Sequence, residues 1–274
     1  MSGDNSSHPA YRLLQPLAST QSASDAEKPD ITKAVAELTE LVQRSIVPGG
    51  DLIGDVLWDV WNAVFQVAAD TPHQSQSGGL VDFMTQLRKT TVSSPGGAAV
   101  LADKNQKVWD DIPQFGWVAR DIWNFSPSDT SATAAQQESF NNQTAFLARL
   151  TMRADVERVD KRHPFDYSMY ALWSMRDAFE EPSPNQQAHD KTPAIKNAAV
   201  WLRYAGARLR DLSMAGSNLP DRTGVAGDLH PDKNWKGFQQ DRWAVWKNGF
   251  QVALDEEKID TETREMIKKG MELV

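Results

Sequence analysis

Two stretches of the chain repeat one pattern: WDVWNAVFQVA at Trp58–Ala68 and WAVWKNGFQVA at Trp243–Ala253. Both read Trp-x-Val-Trp-x-x-x-Phe-Gln-Val-Ala. A helix turns about 100° per residue, so the two Trp and the Phe of each copy share one side. The pattern therefore predicts two amphipathic helices with aromatic stripes, and such a stripe is more typical of a helix core than of a ligand site.

The two copies differ sharply at one position of the apolar arc, where Leu57 precedes the first stretch and Arg242 precedes the second. An unpaired buried guanidinium is costly, so Arg242 must pair with a carboxylate, stack on its aromatic neighbours or reach solvent. Asp177 and Glu180 are candidate partners. Two interpretations stay open: a structural ion pair, which is the commoner cause of such a placement, or a contact to an anionic ligand group beside a tryptophan wall.

The apolar period is helical along nearly all of the chain. It predicts an all-α fold, a single helical-bundle domain of about nine or ten helices over residues 30–274. Residues 98–109 and 113–124 are predicted as two short helices. Residues 1–29 are rich in polar residues and predict a mostly disordered N-terminal arm, whose one apolar piece, Tyr11–Ala18, could dock on the body.

A loop rich in Gly, Pro and Asp runs from Met214 to Asn234. Loops this long are usually functional or disordered. Within it, His230 and Asp232 stand two residues apart, and in extended chain such side chains point the same way and could share a cation. A solvated acidic loop is the simpler interpretation, and we predict no metal site.

Composition excludes several classes of function. Cysteine is absent, so disulfides, thiolate nucleophiles and cysteine-ligated metals are excluded. No apolar run is long enough for a membrane span, and the opening residues lack the features of a signal peptide. The formal net charge of −8 argues against nucleic-acid or anionic-membrane partners, although it leaves room for a local basic patch. We expect a cytoplasmic protein that binds neither nucleic acid nor membrane.

The sequence carries none of the short motifs that mark common catalytic sites. The phosphate-binding loop, the dinucleotide-binding glycine motif, the nucleophile elbow and the His-Glu-x-x-His zinc motif are all missing. Asp110–Asp111 is the nearest approach to the Asp-rich helix of terpene cyclases, but it lacks a third acid and Pro113 interrupts the helix. We therefore predict no cofactor and name no catalytic residue.

Five blocks occur in a fixed order over most of residues 30–274: LWDVWNAVFQVA; AFLARL followed by YALWSMRDAFE; AAVWLRYAGARL; GFQQDRWAVWKNGF; and IDTETREMIKKGMELV. This ordered set resembles a fungal protein family known as domain of unknown function 3632. The resemblance implies a helical intracellular fungal protein with no agreed activity, and an association with secondary metabolism. It supplies no catalytic residues to carry over.

Our leading hypothesis is a binding or interaction module. An aromatic-lined groove near the two Trp helices and the 214–234 loop would take a protein partner or a small apolar molecule. The candidate ligand-binding residues are Trp58, Trp61, His230, Arg242, Trp243 and Trp246. One alternative is a cofactor-free enzyme, an isomerase, cyclase or hydrolase acting on an apolar metabolite. Another is a purely structural protein–protein module, in the form of a homo-oligomer or of a complex with another protein.

Overall fold

The computed structural model describes residues 6–18, 30–45, 53–94, 97–102, 105–154, 163–182, 190–220 and 222–274. Ten α-helices and one two-stranded hairpin lie within these ranges, which confirms the all-α class and the predicted number of helices. None of these helices combines the length and apolar composition that a bilayer crossing requires. The chain divides into two compact units, Met1–Phe125 and Ser126–Val274. A single domain over residues 30–274 stays a prediction.

The first unit contains five helices and the hairpin. The helices are α1 (Pro9–Ala18), α2 (Ile31–Ser45), α3 (Ile53–Asp70), α4 (Gly79–Leu87) and α5 (Phe115–Ile122), and the hairpin strands are β1 (Leu101–Ala102) and β2 (Gln106–Lys107). Helix α1 buries Leu14 and Leu17 and contacts α3 and α4. This part of the expected arm is therefore helical, and residues 1–5 and 19–29 of the arm lie outside the described residues.

The first Trp motif forms the aromatic core of this unit. The Trp61 indole N–H donates to the main-chain oxygen of Pro113 at 2.8 Å. The Trp61 ring meets Trp109 edge-on, with centroids 5.8 Å apart, and Phe115 at 5.3 Å. Phe65 also packs on Phe115, at 4.8 Å. The predicted amphipathic helix and its inward aromatic stripe are thus present, and the stripe serves packing.

The short helix predicted over 98–109 is wrong, because this segment contains the hairpin. Strands β1 and β2 pair antiparallel, with Leu101 opposite Lys107, and Val100 N–H donates to Val92 O at 2.8 Å. Asn105 has a left-handed φ of 57°, which a helix interior does not accept. The apolar positions fit a helical period equally well, so the pattern alone could not separate the two structures.

The second unit contains five helices: α6 (Ala134–Arg153), α7 (Ser168–Phe179), α8 (Thr192–Met214), α9 (Gln240–Asp255) and α10 (Thr261–Met271). Helix α8 lies at its centre and contacts the other four. Thr133 and Gln136 form a capping box at the start of α6. Asp260 caps α10 by accepting the N–H of Thr263 at 2.7 Å. Sequence-encoded caps therefore define where these two helices begin.

A buried polar network fixes the contact of α8 with α6 and α7. The Asn197 side-chain amide donates to Asn141 Oδ1 at 3.0 Å and to Thr144 Oγ1 at 2.9 Å. Its oxygen accepts the Ser174 hydroxyl at 2.7 Å. Buried polar groups are tolerated when they are satisfied, so this network specifies how the three helices align.

Candidate functional site

Arg242 lies on α9 in the second unit and is wholly buried. Its guanidinium makes a two-pronged ion pair with Glu180, with Nε to Oε1 and Nη2 to Oε2 both at 2.8 Å. Of the two partners considered from the sequence, Glu180 is the one in contact. The other, Asp177, accepts the Lys191 ammonium through its main-chain oxygen at 2.5 Å, and burial raises the pKa of its carboxyl group.

The remaining N–H groups of Arg242 donate to main-chain oxygens of the long loop and of the segment that follows it. Nη1 donates to Gly224 at 2.6 Å and to Gly237 at 2.9 Å, and Nη2 donates to Val225 at 3.0 Å. A guanidinium has five N–H donors, and these contacts use all of them. The structural ion pair, the commoner of the two interpretations, is therefore what the structure contains, and no N–H of Arg242 remains to bind a ligand.

Glu180 is occupied just as fully. Its Oε1 also accepts the Trp246 indole N–H at 2.5 Å, and Oε2 accepts the Gly227 N–H at 3.0 Å. Its main-chain oxygen accepts the N–H of Leu229 at 2.9 Å. Gly227 is required here, since a Cβ would lie 2.5 Å from that same oxygen. A buried ion pair is tolerated when its other hydrogen-bonding positions are filled in this way.

The Arg242–Glu180 pair organises the long loop predicted from Met214 to Asn234. Further main-chain contacts close it, with Leu219 N–H donating to Lys236 O and Phe238 N–H to Ser217 O, both at 2.8 Å. The loop is therefore built on specific contacts over its described residues. Asp221 within it lies outside the described residues.

The six predicted ligand-binding residues are divided between the two units. Trp58 is half-buried and Trp61 is wholly buried in the first unit, whereas Trp243 and Trp246 are buried in the second. His230 is half-buried, with its ring centroid 5.3 Å from that of Trp235. Over the described residues, no group of three or more His, Asp or Glu is arranged to hold a metal ion.

A cavity of about 250 Å³ opens in the first unit, between the end of α4 and the hairpin. Its apolar lining comes from Val92, Val100, Val108 and Trp109, and its charged lining comes from Arg88, Lys89, Lys107 and Asp110. Trp109 is only 1% exposed. Its indole N–H donates to the Thr39 hydroxyl at 3.1 Å, and its ring packs edge-on against that of Trp61. The cavity therefore has a rigid apolar floor and a basic rim.

Cations outnumber carboxylates in this lining. Arg88 Nη2 lies 3.3 Å from Asp110 Oδ1, and its Nε donates to the main-chain oxygen of Asp110 at 2.7 Å. Lys107 Nζ lies 3.7 Å from Asp110 Oδ2. Within the part of the chain that the structure describes, the Lys89 ammonium makes no ion pair. Among the described lining residues, one carboxylate thus accompanies three cations, which is an excess of positive charge.

The sequence contained a weak signal for this cavity. The run Leu87-Arg88-Lys89-Thr90-Thr91-Val92 combines a basic pair with β-branched residues at the end of a helix. Lys107 and Trp109 join that run only because the hairpin folds back on it. The first Trp motif is connected to the cavity through Trp61, which contacts Trp109, although neither tryptophan of that motif lines it.

Comparison with known proteins gives a family and no closer relative. Searches of the curated proteins and of the solved structures found no match. One family model, described as protein of unknown function (DUF3632), matches residues 61–250. This range runs from the second Trp of the first motif to the Phe of the second motif and includes the whole cavity lining. Since the match spans well over half of the sequence, the chain belongs to the DUF3632 family of proteins of unknown function.

Proposed function

We propose that this protein is a non-catalytic binding protein for a small apolar molecule, and that its site is the cavity beside Trp109. The observation that carries the proposal is a concave cavity of about 250 Å³ whose lining combines apolar residues with charged and hydroxyl-bearing ones. Small-molecule sites in proteins commonly have this combination.

The floor is rigid because it is an extension of the core of the unit. Val92 and Val108 are each 2% exposed, and Trp109 is held by its hydrogen bond to Thr39 and by the ring of Trp61. A ligand would therefore not have to order the site on binding, and this lowers the cost of association. The volume lies just below the roughly 300–1,000 Å³ of most ligand pockets, so it suits a small ligand.

The cavity is a better candidate than the Arg242 region. Both Arg242 and Glu180 are wholly buried, and their hydrogen-bonding groups are already engaged with each other, with Trp246 and with the loop. A ligand could reach them only by displacing those contacts. In the cavity, by contrast, the Lys89 ammonium has no ion-pair partner among the described residues.

The same geometry favours binding over the alternative of a cofactor-free enzyme. Such an enzyme would need a carboxylate or imidazole positioned to move a proton to or from the ligand. Asp110, the one carboxylate in the described lining of the cavity, is held by Arg88 and Lys107.

The test is a titration with small-molecule fragments that is monitored by NMR. The reporter is the signal of the Trp109 indole N–H, which is assigned with a Trp109→Phe variant. Hexanoate, hexanamide, hexanol and hexyl phosphate are the probes, added to the full chain at millimolar concentrations. We expect at least one of them to shift the Trp109 signal in a saturable manner. If none does, the proposal is wrong.

A pair of variants distinguishes binding in the cavity from binding elsewhere. Ala99 lines the cavity and its side chain is exposed, so Ala99→Trp should fill the site and abolish the saturable shift. Ala98→Trp is the control, because neighbouring side chains in extended backbone point to opposite sides. Equal binding by both variants would place the probe outside the cavity and contradict the proposal.

A further inference from the structure

We propose that the ligand of this cavity carries an oxyanion head, a carboxylate or a phosphate monoester, on a short apolar body. This inference rests on the proposed function and names the chemical class of its ligand. The chain as a whole has a formal net charge of −8. The charged residues in the described lining of the cavity have the opposite balance, with Arg88, Lys89 and Lys107 against Asp110.

The three cations have different parts in this rim. Arg88 is fixed, since it contacts both the main-chain oxygen and the carboxylate of Asp110, and its side chain is 17% exposed. Lys107 makes a single long contact of 3.7 Å with the same carboxylate, and its side chain is 66% exposed. Lys89 is exposed and has no ion pair within the described residues. Arg88 is thus the main ion-pair partner of Asp110, and the ammonium groups of the two lysines remain able to approach a ligand anion.

The acidic residue that follows Asp110 in the sequence is engaged with the main chain. Asp111 is outside the cavity lining, and its carboxylate accepts the main-chain N–H of Lys107 at 2.9 Å. Thr91 also lines the cavity and is exposed, so its hydroxyl adds a donor to the lining. Ammonium and hydroxyl donors together suit oxyanion oxygens, because hydrogen bonds between charged partners are the stronger ones.

The accessible apolar lining indicates that the anion is attached to an apolar body. Ala99 and Val100 line the cavity and carry no charge, and Ala99 is exposed while Val100 is half-buried. Inorganic phosphate would leave this surface in contact with water, whereas an alkyl or aryl group would cover it and gain the free energy of apolar burial. The two ends of the site therefore select an amphipathic anion.

The experiment compares hexanoate with hexanamide, which has nearly the same shape and no charge. Dissociation constants come from titrating the full chain and following the Trp109 indole signal. We expect hexanoate to bind about tenfold more tightly than hexanamide, as charge-assisted hydrogen bonds to the lysines imply. We also expect added salt to weaken hexanoate binding and to leave hexanamide binding unchanged, since the lysines are solvent-exposed.

Substitutions assign the effect to the two lysines. The double variant Lys89→Gln, Lys107→Gln should weaken hexanoate binding about tenfold and leave hexanamide binding unchanged. Lys33→Gln is the control, because Lys33 is an exposed lysine on α2 that pairs with Glu37 and is not part of the cavity lining. The single variant Lys89→Gln gives the same comparison if the double variant folds poorly.

Each outcome bears on one proposal. Equal affinities for hexanoate and hexanamide would overturn the oxyanion head and leave the binding function standing. Inorganic phosphate binding as tightly as hexyl phosphate would overturn the apolar body. The tighter binder of hexanoate and hexyl phosphate identifies the head group as a carboxylate or a phosphate monoester. Failure of every probe to shift the Trp109 signal would instead remove the binding function itself.

Discussion

Arg242 is a buried charge whose stability depends on one partner. Taking a guanidinium out of water costs several kcal/mol unless a counter-ion and good hydrogen bonds compensate for it. Glu180 supplies the counter-ion in a two-pronged contact, and the main-chain oxygens of Gly224, Val225 and Gly237 supply the other acceptors. Trp246 links the pair to the aromatic stripe through its indole N–H. One residue of α9 thus holds the backbone of the loop at Gly224 and Val225.

Replacing Glu180 with Gln should therefore destabilise the protein strongly. The change keeps the shape but leaves Arg242 charged and buried without a counter-ion. We expect a loss of about 3–5 kcal/mol in the free energy of unfolding, measured by urea denaturation. Glu181→Gln is the control, because Glu181 forms a partly exposed pair with Arg176, and its loss should cost about 1 kcal/mol or less. Equal losses for the two variants would contradict the role assigned to Glu180.

The sequence allowed this ion pair to be predicted and left the ligand alternative open. Arg242 stands within an apolar arc, and helical spacing makes its burial predictable from the residues alone. Glu180 could be named because it follows an amphipathic helix. The main-chain acceptors could not be named, since Gly224, Val225 and Gly237 approach Arg242 only once the loop has folded.

Among the helices, α8 is held to α6 and α10 by a cluster of charges around Lys196. Its ammonium lies 2.6 Å from a Glu262 oxygen, 3.7 Å from Asp260 and 3.9 Å from Glu138. Asp260 also caps α10. Burial alone would raise the pKa of Asp260, but the N–H of Thr263 and the charge of Lys196 outweigh it and lower that pKa below 3.8.

This lowered pKa predicts a pH-dependent contribution from the start of α10. A carboxyl whose pKa is lower in the folded state stabilises the fold above its unfolded pKa, and the effect is lost as pH falls through the folded pKa. Asp260→Ala should cost about 0.5–2 kcal/mol at pH 7, and the cost should shrink as pH falls below 3.8. Urea denaturation at several pH values measures it. Glu257→Ala, at an exposed position beside the helix, should show no such pH dependence.

Strong local signals made the helices predictable, whereas the hairpin had none. The helices have a clear apolar period, and α10 has an Asp cap that can be read from its sequence. Strands β1 and β2 have two residues each, which is too short for an alternating pattern to appear. Their pairing depends on the left-handed turn at Asn105 and on the contact between Val100 and Val92. Tertiary contacts therefore decided the structure of this segment.

Across the whole molecule, the two Trp motifs both pack into aromatic cores, one in each unit, and the described lining of the cavity belongs to the first unit. Trp61 donates its indole N–H to Pro113 and supports Trp109, while Trp246 donates to Glu180. The repeat was visible in the sequence. The cavity was not, because its lining comes from segments on either side of a hairpin that the apolar pattern did not predict.

Because the two Trp motifs lie in different units, the same substitution should have different effects in each of them. Trp61→Phe and Trp246→Phe each remove a buried indole hydrogen bond, so each should lower the free energy of unfolding by about 1–3 kcal/mol. Only Trp61→Phe should also weaken probe binding, roughly severalfold, because Trp109 loses its support and the floor of a binding site must be held rigidly to bind well. Urea denaturation and the hexanoate titration measure the two effects on the same samples. A Trp246→Phe variant that loses as much hexanoate affinity as Trp61→Phe would mean that the cavity depends on the second unit, although every described lining residue belongs to the first.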